Sequence, residues 1–174
     1  AILRDNGIDM LFVERIHEQH KRIRYEQGAA WAYYNRERGQ VLRGLIEQGK
    51  FGAHPYPDIF YLLGRIAAQE YIDSDLFDGV ECLVPVPLHP RRLRERGFNQ
   101  AEYICKGMSD VLHIPIDTEH LMRKRNNSHQ SLSQFEEREK NTQDLFVLRY
   151  PEEWKGKHVL LVDDVITSGA TLMA

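Results

Sequence analysis

The fold is decided by the stretch VLLVDDVITSGAT, which occupies residues 159–171. Its first four residues are apolar without alternation, as in a central strand of a parallel sheet that is covered on both faces. Asp163 and Asp164 follow at the carboxyl end of this strand, where open α/β sheets place their ligands. Small and hydroxyl residues then open a helix. The stretch therefore predicts a strand-to-helix turn that holds a ligand.

The turn after the two acids has the composition of a phosphate-binding helix start. The first N–H groups of a helix are unpaired and carry partial positive charge, so they accept a phosphate. Gly169 has no side chain to block close approach, and its neighbours add hydroxyl donors. We assign the phosphate contacts to Thr167, Ser168, Gly169, Ala170 and Thr171.

The paired acids favour a sugar rather than the phosphate itself. Asp163 and Asp164 would repel an anion that they faced, but carboxylates accept the two hydrogen bonds that a ribose diol donates. The diol and a pyrophosphate can share a Mg²⁺, which offsets the negative charge. The alternative is that the acids only cap a helix or end a strand, and a cap alone does not require the run from Thr167 to Thr171.

Upstream, apolar patterns alternate between the strand and helix periods. We predict helices at 41–49, 59–71 and 98–112, and strands at 29–34, 81–86, 114–121, 146–148 and 158–162. A basic loop is expected at 90–97, and a polar loop leading to a short helix at 123–144. Alternating strands and helices indicate a parallel sheet with crossover helices. We divide the chain into a lead-in or linker (1–28) and one α/β domain (29–174).

Composition bounds the class of protein. The chain has 174 residues, 42% of them hydrophobic, which suits one domain with a packed core. No apolar run reaches the ~18 residues of a membrane helix and no signal peptide opens the chain, so we expect a cytoplasmic protein without a membrane partner. The net charge of −3 does not indicate a nucleic-acid partner. Cys82 and Cys105 form no metal-binding pair and are expected to be small buried hydrophobes.

Two stretches resemble known families. Residues 159–171 resemble the motif that binds 5-phosphoribosyl-1-pyrophosphate (PRPP) in type I phosphoribosyltransferases, with Ser168 where threonine is frequent. Residues 84–100, VPVPLHPRRLRERGFNQ, closely resemble the signature of the ComF family, the competence-associated phosphoribosyltransferase-like proteins of bacteria. Further positions fall at spacings similar to that family's middle block: Arg123, Gln130, Leu132, Arg138, Asn141 and Phe146. The resemblance spans about residues 30–172.

The resemblance implies a type I phosphoribosyltransferase-like parallel sheet flanked by helices, which we expect to be truncated at the C-terminus. It implies transfer of a phosphoribosyl group to an unknown, nitrogen-type acceptor, with Asp163 and Asp164 as catalytic residues that also hold Mg²⁺ through the ribose. It assigns further contacts to the pyrophosphate (Pro85, Val86, Pro87, Arg91 and Arg96) and to a loop that closes over the ligand (Arg138 and Asn141). DNA-uptake proteins are implied partners, and a homodimer is left open. The family's cysteine-rich zinc module is not visible, so residues 1–28 are interpreted as a remnant that follows it.

Three other interpretations of the sequence are alternatives to this one. Residues 44–50 fit the P-loop pattern GxxxxGK, but Phe51 stands where Ser or Thr must bind Mg²⁺, and the segment has a helical pattern. A phospho-receiver domain also has an acid pair after an apolar strand, but near the start of its domain. The third alternative is a non-catalytic PRPP-binding or DNA-uptake accessory protein.

Overall fold

Helices and short strands alternate along the described part of the chain. The computed structural model describes residues 29–32, 40–51, 56–124 and 145–165. Its helices are α1 (Gln40–Phe51), α2 (Pro57–Tyr71), α3 (Pro90–Arg96), α4 (Gln100–Leu112) and α5 (Pro151–Trp154), with a 3₁₀ turn at Asp75–Phe77. Its strands are β1 (Cys82–Pro85), β2 (Leu121–Arg123), β3 (Phe146–Leu148) and β4 (Val159–Val162).

A short parallel sheet forms the centre of the fold. Strands β1 and β4 pair in parallel, with Cys82 opposite Val159 and Pro85 opposite Val162. The N–H of Val86 donates to the carbonyl of Val162 at 2.9 Å and extends this pairing beyond β1. On the other side of β1, Leu83 forms a single parallel bridge with Ile116. The predicted parallel α/β arrangement is therefore confirmed for β1 and β4.

One face of this sheet is covered by α4, which packs in turn against α2. The main core cluster joins both helices to both strands and consists of Ala68, Leu83, Cys105, Met108 and Val162. The helices approach unusually closely because glycines stand at their contact. A Cβ added at Gly64 would overlap the Ile104 carbonyl, and one added at Gly107 would overlap the Tyr61 carbonyl. The backbones of α2 and α4 therefore touch directly.

A second core cluster attaches α1 to the carboxyl end of the sheet. Ile46, Phe60 and Phe98 are its buried members, and Val165, just after the acid pair, packs against them. The rings of Phe60 and Phe98 lie 5.9 Å apart in a tilted arrangement. This cluster places the end of α1 beside the turn that follows β4.

The predicted basic loop at 90–97 was wrong, because residues 90–96 form α3. The His89 side chain accepts a hydrogen bond from the Arg91 N–H at 3.2 Å, and Pro90 occupies the first turn. Gly97 ends the helix in the left-handed region at φ 87°, and its N–H donates to the Leu93 carbonyl. Proline at a helix start and glycine just past its end are established helix signals.

Two strand predictions were also wrong. The predicted strand at 114–121 is reduced to the single bridge at Ile116, because the Asp117 side chain then accepts N–H bonds from Glu119 and His120 (2.9 Å each) and turns the chain. Strand β2 begins only at Leu121 and pairs antiparallel with β3. The predicted strand at 146–148 is therefore present as β3, but it lies outside the parallel sheet. The other wrong prediction is the edge strand at 29–34, because its described part, residues 29–32, forms no strand.

The remaining predictions are either confirmed or lie outside the described residues. The helices predicted at 41–49, 59–71 and 98–112 and the strands at 81–86 and 158–162 are confirmed within a few residues. Cys105 is buried and Cys82 half-buried, and both are free thiols. The linker at 1–28 and most of the loop at 123–144 lie outside the described residues. None of the helices in the described ranges has the length and apolar character needed to cross a bilayer.

The glycine contact between α2 and α4 gives a stability test. We expect Gly64→Ala to destabilise the fold by about 1–3 kcal/mol, because the new methyl group must push α2 away from the Ile104 carbonyl. Gly44→Ala is the matched control, since Gly44 also lies within a helix but has nothing within 4 Å of an added Cβ. That substitution should stabilise α1 by up to about 1 kcal/mol. Urea denaturation measures both, and equal effects would contradict the close packing.

Candidate functional site

Asp163 and Asp164 lie directly after β4, at the carboxyl edge of the parallel sheet. The Oδ1 atom of Asp163 accepts a hydrogen bond from the Asp164 N–H at 2.8 Å, which fixes the first carboxylate against the turn. Both residues are half-buried. Because β1 and β4 run parallel, the segment 85–87 that leaves β1 emerges at the same edge.

Lys50, the penultimate residue of α1, forms an ion pair with Asp164. The Lys50 Nζ atom contacts the Asp164 Oδ2 atom, and the two side chains are only 14% and 13% exposed. That oxygen is fully enclosed and accepts no well-aligned hydrogen bond among the described residues. Charge, rather than hydrogen-bond geometry, therefore defines this contact.

The position of Lys50 follows from the packing of α1. Ile46 is buried in the second core cluster, and Lys50 lies four residues later on the same face of the helix. Gly49 brings this end of α1 close to α2, because a Cβ there would come within 2.8 Å of the Phe60 ring. The absence of a side chain at Gly49 and the burial of Ile46 thus place the Lys50 ammonium group beside Asp164.

Arginines from two further elements add positive charge. Arg96, at the end of α3, interacts electrostatically with Asp164, and burial lowers the pKa of its guanidinium while this acid opposes the change. Arg123, at the end of β2, interacts in the same way with Asp163, and burial lowers its pKa too. Arg92 repels both arginines. Lys50 of α1 therefore contacts the acid pair directly, while Arg96 of α3 and Arg123 of β2 act on it only electrostatically.

The residues predicted to bind pyrophosphate are distributed unequally around this site. Pro85 and Val86 are buried where β1 ends, Pro87 is half-buried beyond them, and Val86 is bonded to Val162 just before the acids. Arg96 is half-buried and within electrostatic reach of Asp164. Arg91 lies on an exposed part of α3, where its side chain is 77% exposed and pairs with Glu95 at 2.8 Å. The structure thus brings Arg96 to the acids and leaves Arg91 at the surface.

The antiparallel pair of β2 and β3, which carries Arg123, is anchored where β2 begins and β3 ends. The His120 ring nitrogens lie 2.5 Å from Asp117 Oδ2 and 3.1 Å from Glu153 Oε2. The contact with Glu153, and then that with Asp117, raises the pKa of His120. The Arg149 N–H also donates to the His120 carbonyl at 2.8 Å. These contacts tie β2 and β3 to the loop after Ile116 and to α5.

Several predicted site residues lie outside the described residues. They are the phosphate-turn residues Thr167, Ser168, Gly169, Ala170 and Thr171, and the closing-loop residues Arg138 and Asn141. Sequence reasoning did not assign a role in the site to Lys50 or Arg123. Each ends an element remote in sequence from the acids, so local spacing carries no signal for their approach.

The electrostatic state of Asp163 differs from that of its neighbour. Within the described ranges no lysine or arginine forms an ion pair with it. Burial, and then the charge of Asp164, raise the pKa of Asp163 from its ordinary 3.8 to about 6, although Lys50 and the Asp164 N–H oppose the change. One acid is therefore neutralised by a buried lysine, while the other holds its proton up to mildly acidic pH.

The fold and site together define an α/β protein with a charged candidate ligand site at the carboxyl edge of its parallel sheet. No family model matches the chain, and no solved structure matches it. Curated proteins do match. "DNA utilization protein YhgH" of Escherichia coli K12 is 34% identical over 75% of this chain and 57% of the relative. "Competence protein F" of Haemophilus influenzae is 36% identical over 53% of this chain and 41% of the relative.

"Competence protein ComFC" of Bacillus subtilis is 34% identical over 52% of this chain and 34% of the relative. The chain belongs to the ComF family, as the signature at residues 84–100 predicted. It spans little more than half the length of YhgH, at 57%, and less of the competence proteins.

The raised pKa of Asp163 predicts a pH-dependent stability. Its folded-state pKa of about 6 exceeds the ordinary 3.8, so the native state binds more protons than the unfolded chain between these values. The contribution of Asp163 to the unfolding free energy should therefore fall as pH rises from about 4 to about 6, by about 3 kcal/mol. Asp163→Asn should remove this fall and be more stable than wild type near neutral pH, as measured by urea denaturation across this window.

The control for this experiment is Asp73→Asn, which removes an exposed acid from the turn after α2. It should keep the decline seen in wild type. Parallel curves for Asp163→Asn and wild type would show that Asp163 is not the titrating group.

Proposed function

We propose that this chain binds PRPP at the acid pair and transfers its phosphoribosyl group to a nitrogen nucleophile with release of pyrophosphate. The observation that carries the proposal is the placement of two acids at the carboxyl edge of a parallel sheet, with Lys50 in contact with one of them and two arginines acting on them electrostatically. A phosphorylated sugar has the matching chemistry, because its diol suits carboxylates and its phosphates suit arginines and lysine.

The described residues divide the ligand between them. Asp163 and Asp164 accept hydrogen bonds from the ribose diol, while Arg96 and the segment 85–87 lie against the pyrophosphate. Residues 167–171, which lie outside the described residues, are assigned to the 5-phosphate because of their small and hydroxyl side chains. These assignments are the ones expected of a type I phosphoribosyltransferase-like protein, and we propose that fold for the chain.

In the reaction, the lone pair of the nitrogen attacks C1 of the ribose from the face opposite the pyrophosphate. The bond between C1 and the pyrophosphate oxygen breaks, the electron pair leaves with that oxygen, and the nitrogen then loses its proton. Arginines stabilise the negative charge that develops on the leaving group. The acids fix the sugar so that C1 is open to attack.

Mg²⁺ fits this site through the ligand rather than through the protein alone. Within the described ranges no three His, Cys, Asp or Glu side chains converge as a metal site. Asp164 already uses one oxygen on Lys50, so the protein donors are few, although carboxylates are the ligands that Mg²⁺ prefers. When bound, Mg²⁺ would offset the negative charge of the pyrophosphate and of the acid pair.

A second candidate function is a PRPP-binding accessory protein without catalysis, acting in DNA uptake. The names of the relatives, "DNA utilization protein" and "Competence protein F", favour it. The two functions share the pocket and differ in turnover. Release of pyrophosphate from PRPP when a nitrogen nucleophile is added distinguishes the enzyme from the accessory protein.

The acid pair gives the binding test. Calorimetry should detect Mg²⁺-dependent PRPP binding by wild type and none by the double variant Asp163→Asn, Asp164→Asn, because the amides no longer carry the charge that holds the diol and Mg²⁺. The control removes two exposed acids elsewhere, Asp73→Asn with Asp78→Asn. Unchanged affinity in the site variant would rule out the ribose role of the acids.

The phosphate turn gives a separate test. Gly169→Val should block ribose 5-phosphate binding, since the added side chain occupies the space that the phosphate needs beside the backbone. Circular dichroism checks that the variant folds. Normal ribose 5-phosphate binding by this variant would contradict the assignment of the turn.

A further inference from the structure

We propose that Lys50 is a positioning residue that acts as a built-in counter-ion of the acid pair, so that ribose 5-phosphate binds without a divalent cation. The inference rests on the proposed function and adds to it a residue outside the PRPP-like stretch. It concerns how the protein balances charge at the acids before any metal enters.

Burial makes Lys50 more than a surface contact. Both side chains of the Lys50–Asp164 pair are largely shielded from water, and the Asp164 Oδ2 atom is fully enclosed. A charge removed from water must be balanced by a nearby partner, and breaking such a pair is strongly unfavourable. Lys50 therefore stays on Asp164 while the site is empty and fixes the orientation of this carboxylate.

Comparison with other ion pairs separates this contact from ordinary helix surface pairs. Arg91–Glu95 and Lys106–Glu102 each join residues four apart on one helix and are partly exposed. Such pairs contribute only a few tenths of a kcal/mol. The Lys50 pair instead joins α1 to the turn after β4, and its acid belongs to the candidate ligand site.

Charge balance supplies the functional consequence. Two adjacent carboxylates beside a phosphate site would repel a sugar phosphate. Lys50 cancels one of these charges, and Arg96 also acts on the same acid. A ligand that lacks pyrophosphate then meets a site whose charge the protein has already balanced.

The test is a titration of ribose 5-phosphate by calorimetry in EDTA and in saturating MgCl₂. Wild type should bind nearly equally in both. Lys50→Met should bind about ten- to hundredfold more weakly in EDTA, the range expected when one charge-assisted contact is lost, and should recover most of its affinity in MgCl₂. Recovery by Mg²⁺ is a readout that loss of a purely structural anchor would not give.

Three further variants sharpen the result. Lys106→Met makes the same substitution at an exposed pair and should behave as wild type. Lys50→Arg keeps the charge and should retain metal-independent binding. The double variant Lys50→Met, Asp164→Asn buries no lone charge, so it provides the comparison if Lys50→Met does not fold. It should bind more weakly than wild type but without the dependence on Mg²⁺.

The outcomes separate this inference from the proposed function. If wild type binds ribose 5-phosphate but requires Mg²⁺ as strongly as Lys50→Met does, the counter-ion role is overturned and the sugar site stands. Mg²⁺ dependence in the double variant would overturn it as well. If wild type binds neither ribose 5-phosphate nor PRPP in either buffer, the proposed function fails and the counter-ion role fails with it.

Discussion

The parallel pairing of β1 with β4 is the constraint on which the site depends. Its register sets Pro85 beside Val162, and the Val86 N–H bond to Val162 carries the pairing up to the first acid. Two segments far apart in the chain therefore end at one edge of the sheet. A slip of one residue would reverse which side chains face the helices, so the buried Leu83 and Val162 hold this register as much as the backbone does.

Around that edge, charged side chains lie close together and are partly buried instead of being exposed to solvent. The acids follow a buried strand, and the cations that approach them are half-buried at the ends of α1, α3 and β2. Burial moves the pKa of Arg96, Arg123 and Asp163 in the direction that disfavours each charged form. Sites that shift several neighbouring groups in this way are typical of function rather than of stability alone.

The sequence predicted what depends on local pattern. Apolar periodicity located the long helices and the central strands, and the acids after β4 followed from a short continuous run. It failed where short-range signals compete. The proline and glycine that bound α3 were interpreted as loop residues, although His89 and Gly97 complete its caps. The strand at 146–148 was predicted, but its antiparallel pairing with β2 was missed, because β2 has only three residues and alternation over so short a length is weak.

Two of the cations of the site, Lys50 and Arg123, could not be assigned to it from the sequence, for a different reason. Lys50 and Arg123 are ordinary element-ending basic residues in the sequence, and only tertiary packing brings them to Asp164 and Asp163. For Lys50 the decisive feature is Gly49, whose lack of a side chain lets α1 settle on the Phe60 ring. The charge around the acid pair thus depends partly on Gly49, a residue of α1 that is remote from the acids in the sequence. Two identical neighbouring residues consequently differ in character, since Asp164 is paired with a lysine and Asp163 has no such ion pair among the described residues.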